Sequence, residues 1–142
     1  MDMLQRVLDN ISAWQAAQTE SRRSRAHRCL ECIRACCLEE GLRLPPPTSE
    51  NTALADFQLI SRNPSEYGWR QVHSPISGLA LVYFNDCGRL PDGRVAGHIA
   101  VLDPGKRIHF SNIDYPFTKW WADRIAGAFV PLEDADASQP ES

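Results

Sequence analysis

The chain has 142 residues, 43% of them hydrophobic, with four tryptophans and a formal net charge of −3. That is enough apolar sequence for one core, and the weakly acidic balance excludes the broad positive field of a nucleic-acid or anionic-membrane binder. No apolar run approaches membrane-spanning length, and the start lacks the basic-then-apolar pattern of a secretory leader. The expectation is synthesis in the cytoplasm without a signal peptide, so that action in the periplasm or cell wall requires delivery.

Leu4, Val7, Leu8, Ile11 and Trp14 follow the i, i+3, i+4, i+7 spacing of an amphipathic helix over roughly 2–17. A polar break follows, containing the basic run Arg22 to Arg28, read as a solvated loop. A second helix is predicted from Arg25 or Ala26 to Glu40, stopped by Gly41. Leu42 to Pro47, with three consecutive prolines, reads as an extended connector. Thr48 or Ser49 would cap a third helix reaching about Ser61.

Tyr67-Gly68-Trp69 reads as an aromatic turn. Leu79 to Phe84 is a continuous apolar run bounded by breakers, hence a buried strand. Asn85 to Ala96 is glycine-rich and reads as a surface loop. Two β-branched runs joined by Asp103-Pro104-Gly105-Lys106 then give a hairpin signal. Tyr115 to Trp121 is aromatic, a loop or one helical turn, and Ile125 to Val130 is a last strand. Helices first and a sheet of three to five strands afterwards make an α+β domain over 1–132, with an acidic tail over 133–142.

Two features carry chemistry. In the hairpin, His98 opens the first strand; if Leu102 pairs with Arg107, His98 lies opposite Ser111, and a one-residue change of loop puts Asn112 there. An imidazole beside a side-chain amide is a base with its orienter. The second feature is Cys29, in the first turn of the predicted second helix, where the helix dipole and nearby Arg25, His27 and Arg28 favour a thiolate. Cys32 is the fallback nucleophile. His109 is an alternative third member, otherwise an exposed edge residue. Cys29, Cys32, Cys36, Cys37 and Cys87 are an odd set, four of them within nine residues, so reduced thiols are expected. The rival use of this cluster is zinc, through His27-x-Cys29-x-x-Cys32 with Cys36 and Cys37, but a second ligand pair at zinc spacing is missing.

Cysteine at a helix start, then histidine on a strand, then a polar orienter is the chain order of papain-like cysteine hydrolases. Cys29-Leu30-Glu31-Cys32-Ile33-Arg34-Ala35 resembles the C-x-x-x-V-x-x-A helix start of NlpC/P60 and CHAP-type peptidoglycan hydrolases. Gly41-Leu42-Arg43-Leu44-Pro45 is similar to the segment that follows it in that family, and Ser77 to Phe84 occupies the place of its Pro-Gly-Asp strand. Gly97-His98-Ile99-Ala100-Val101 is similar to the family's G-H-V-A/G signature, and Phe110-Ser111-Asn112 falls where an orienter is expected. The chain departs from the pattern at Leu79, where the family has Asp, and at Leu30, where it has a small residue or Ser.

The resemblance spans roughly Ser24 to Pro131. It implies a papain-like α+β fold, N-terminal helices packed on a small antiparallel sheet, and cleavage of amide bonds in the peptide part of peptidoglycan. By the same resemblance Cys29 is the nucleophile, His98 the general base then acid, and Asn112 the orienter, with the Cys29 backbone N–H as one oxyanion donor and no cofactor. Tyr67, Trp69, Trp120 and Trp121 are candidates for a substrate groove. Missing leader and resemblance together imply a phage lysis or tail enzyme, or an injected effector with a cognate immunity protein or delivery machinery as partner. The alternatives are a catalytically inactive binding or immunity-type module of the same fold and a zinc-stabilised Cys-rich helical protein.

Overall fold

The computed structural model describes residues 3–17, 29–46, 52–73, 76–87, 93–103, 107–110 and 114–132, with the side chain of Cys29 outside the description. Helices α1 (Met3–Ala17), α2 (Cys29–Leu38) and α3 (Ala53–Arg62) come first. A 3-10 turn, Pro64–Tyr67, leads into strands β1 (Trp69–Val72), β2 (Ala80–Phe84), β3 (His98–Asp103), β4 (Arg107–His109) and β5 (Asp114–Pro116). A single-turn helix α4 (Lys119–Ala122) precedes β6 (Ile125–Pro131). The arrangement is α+β, and no helix among the described residues is long and apolar enough to cross a membrane.

Among the described residues the strands form one antiparallel sheet in the order β1-β6-β2-β3-β4-β5, six strands rather than three to five. The two additional strands are its short edges. β1 replaces the expected aromatic turn after Gly68, and β5 lies where a loop was expected. The third helix is capped by the Thr52 side chain, which accepts from the Ala55 N–H, so it starts later than a cap at Thr48 or Ser49 would place it.

Side chains on a strand alternate between faces, and here the alternation divides two cores. Leu81 and Tyr83 of β2, Ile99 and Val101 of β3, and Phe129 of β6 face the helices. There they meet Leu4, Val7, Leu8 and Ile11 of α1 and Leu30, Cys32, Ile33, Cys36 and Cys37 of α2. Ala80, Val82, Phe84, Ala100, Leu102, Ile108 and Ala128 point the other way, under Phe110, Trp121 and Ile125. β2 is the centre of the sheet, and all five of its residues are buried, which is why its sequence is apolar without interruption.

Helices α1 and α2 run antiparallel. Arg6 reaches Glu40, and Asn10 donates to the Cys36 carbonyl at 3.1 Å and to Glu40 at 2.9 Å. With a rise of about 1.5 Å per residue in both helices, this register sets the last turn of α1 beside the opening turn of α2. α2 and α3 are tied to the sheet by a buried polar knot. The Tyr83 hydroxyl donates to Asp56, whose second oxygen accepts from Arg34 at 3.3 Å, while Arg34 also donates to the Pro45 carbonyl.

Candidate active site

Gly97 prepares the start of β3. Its φ is +73°, a region an L side chain rarely adopts, and a Cβ there would lie 2.6 Å from the Phe84 carbonyl oxygen and 2.7 Å from Leu54 Cγ. His98 follows, paired with Phe84 across the ladder. Its ring lies 5.5 Å from Phe110 and 6.4 Å from Trp121, on the face that carries Ala100 and Leu102. This is the face turned away from α2. The expectation that His98 looks towards the cysteine helix is therefore not met. Its Nδ1 is buried with no hydrogen-bond partner among the described residues, and burial holds its pKa below the ordinary imidazole value. A neutral imidazole packed among aromatic rings is the result.

The hairpin takes the second of its two expected registers, the one-residue change of loop that would put Asn112 rather than Ser111 opposite His98. Arg107 pairs with Asp103 and Leu102 with Ile108, so Val101 stands opposite His109. Val101 is packed under the helices, and a directly opposed residue shares its face. His109 is thus the histidine on the helix side. Asn112 and Ser111, the expected orienters, lie outside the described residues.

His109 is not the exposed edge residue expected of it. Its Nδ1 lies 3.2 Å from Asp114 Oδ1 across the β4–β5 ladder, and its side chain is 17% exposed. The same Asp114 oxygen accepts from Gln15 Nε2 at 3.1 Å, and Gln15 Nε2 also donates to the Phe110 carbonyl at 2.7 Å. In the neutral ring with its proton on Nδ1, facing the carboxylate, Nε2 would carry the lone pair that a general base requires. Gln15 sits in the last turn of α1, beside the opening turn of α2, where the chain carries Cys29. Imidazole, carboxylate and the end of α1 are thus joined on the helix-covered face of the sheet.

Neither Asp114 nor Gln15 is singled out by the sequence. Asp114 lies at the head of an edge strand of three residues, too short for alternation to register. Gln15 reads as an ordinary polar residue on the margin of an amphipathic helix.

The other candidates separate clearly. Trp69, a groove candidate by sequence, is fully buried in the helix-side core and its indole donates to the Arg43 carbonyl at 2.6 Å, so it lines no groove. Tyr67 is half-buried against the same core. Trp120 is 49% exposed and carries the Arg124 guanidinium 3.7 Å above its ring, on the far side of the sheet with Trp121.

Cys32, the alternative nucleophile, is buried in the core, as are Cys36 and Cys37. The Cys32 thiol, 4.0 Å from Cys36, pulls the Cys36 pKa down by hydrogen bonding, while burial pushes Cys37 far above the ordinary thiol value. Among the described residues no three His, Cys, Asp or Glu side chains converge as a metal site, and His27 lies outside them. No family model matches the chain, and no curated protein or solved structure does.

Proposed function

We propose that the protein is a papain-like cysteine hydrolase that cleaves amide bonds in the peptide part of bacterial peptidoglycan. Cys29 is the nucleophile, His109 the general base and acid, and Asp114 the orienter. The reading is carried by the His109–Asp114 pair, on the helix-covered face of the sheet and beside the α1 turn that neighbours the start of α2. His98 and Asn112, which the family resemblance implies as base and orienter, are replaced in these roles because His98 faces away from α2.

In the reaction, His109 Nε2 takes the Cys29 thiol proton and the thiolate attacks the scissile carbonyl carbon, forming a C–S bond. The tetrahedral intermediate collapses as the imidazolium gives its proton to the leaving amine and the C–N bond breaks. Water, deprotonated by the same nitrogen, then attacks the thioester and releases the carboxylic acid and the thiol. Asp114 keeps the imidazole in the Nδ1–H form and stabilises the imidazolium between these steps. The start of a helix favours the thiolate and offers backbone N–H groups to the oxyanion.

Mass spectrometry of digested sacculi tests the proposal. Wild-type protein is expected to release stem-peptide fragments, and Cys29→Ala and His109→Gln to release none. Fragments released equally by wild type and Cys29→Ala would end the hydrolase reading. Binding of sacculi without cleavage by the wild type would favour an inactive module of the same fold.

A further inference from the structure

We propose that Gln15 is a positioning residue of this site, so that α1 completes the catalytic apparatus as well as packing on it. The inference rests on the reading of His109 and Asp114 as base and orienter. It starts from one amide group. Gln15 Nε2 has two hydrogens, and two acceptors lie within reach: the Phe110 carbonyl at 2.7 Å and Asp114 Oδ1 at 3.1 Å. Both are ~95 or more residues away in sequence, so the bonds fasten the end of α1 to the β4–β5 edge.

The acceptors fix which way the amide faces, because the carbonyl end of Gln15 would meet an oxygen in either place. Asp114 in turn has one oxygen shared between Gln15 and His109 Nδ1. A carboxylate on a three-residue edge strand has few other restraints, and the Gln15 bond holds it in the rotamer that meets His109. Phe110, the residue after β4, is fixed by the same side chain. In this scheme Gln15 acts through Asp114.

Two variants of the full chain separate positioning from mere packing. Gln15→Met keeps the length of the side chain and removes both donors. Gln15→Glu keeps the shape and sets a second carboxyl against Asp114. The first readout needs no substrate: imidazole nitrogen NMR of His109. Wild type is expected to show one tautomer with the proton on Nδ1, and Gln15→Met a mixture of the two.

The second readout is sacculus digestion across pH. Gln15→Met is expected to lower kcat by roughly 10- to 100-fold with KM little changed, as displaced catalytic groups do. Gln15→Glu is expected to move the acid limb of kcat/KM to higher pH, because an added negative charge beside the pair favours the imidazolium. A His109 tautomer unchanged in both variants, with wild-type kcat and pH profile, would overturn the positioning role while leaving Cys29 and His109 in theirs. Loss of the hydrolase reading itself shows differently, as retained digestion by Cys29→Ala.

Discussion

The backbone carbonyl of Phe84 approaches Gly97 so closely that a methyl group at position 97 would stand 2.6 Å from its oxygen. Gly97 also donates its N–H to the Cys87 carbonyl at 3.0 Å, so the chain enters β3 along a fixed path. Gly97→Ala therefore meets both a backbone clash and a left-handed φ. A loss of about 2 kcal/mol or more in unfolding free energy is expected, measured by urea denaturation. An alanine variant within about 0.5 kcal/mol of wild type, the usual range for a neutral surface change, would show that the turn relaxes freely.

His98 makes stability depend on pH. Burial disfavours its charged form, so its pKa in the folded chain lies below the ordinary 6.5 of the unfolded chain. Between those two values the unfolded state binds more protons. The contribution is fully present above pH 6.5 and declines as pH falls from there towards the folded value. His98→Phe, which keeps an aromatic ring against Phe110 and Trp121, is expected to flatten that part of the urea-midpoint profile. A slope identical in the two proteins would assign the effect to other groups.

Asp56 acts with the opposite sign. It is 2% exposed, and burial raises its pKa above the ordinary aspartate value against the pull of Tyr83 and Arg34. The folded chain thus holds its proton more tightly, a contribution largest at low pH and lost as pH rises through the folded value. Asp56→Ala strips both the Tyr83 hydroxyl and the Arg34 guanidinium of their partner, and a loss of roughly 3 kcal/mol is expected at neutral pH. Asp56→Asn, whose carbonyl oxygen can accept from Arg34 while its amide donates to the Tyr83 oxygen, is expected to lose less. Equal losses in the two variants would contradict a role for these hydrogen bonds.

Trp69 separates core from groove. Trp69→Phe removes the bond to Arg43 and is expected to cost on the order of 1 kcal/mol, while sacculus digestion by the folded variant keeps the wild-type KM. A raised KM at unchanged stability would return Trp69 to the substrate.

Much of the fold was legible because its signals are long. The α1 stripe of Leu4, Val7, Leu8 and Ile11 is buried as its period implies, and Ala80 to Phe84 is a central strand as its unbroken apolar run implies. The short edges were not: β1 and β5 have four and three residues, and Trp69 packs inward from a stretch that reads as a turn. The hairpin is present in one of its two expected registers, with Arg107 opposite Asp103. What the sequence left open was which face of β3 the helices cover. Because faces alternate with every residue, assigning a strand's face by pattern alone is decisive and fragile together. His98 went to the face without the helices, and His109, read as an edge residue, came to the face with them. Its partner Asp114, and Gln15 behind Asp114, lie 5 and 94 positions away from it, a convergence that no local pattern encodes.

The rate of Cys29 alkylation reports the pairing of Cys29 with His109. Iodoacetamide labelling at neutral pH, read by peptide mapping, compares wild type, His109→Gln and His98→Phe. Cys29 is expected to label much faster than Cys87 in the wild type and in His98→Phe, and to slow in His109→Gln. Slow labelling in His98→Phe with fast labelling in His109→Gln would contradict the pairing, as would a wild-type Cys29 no more reactive than Cys87.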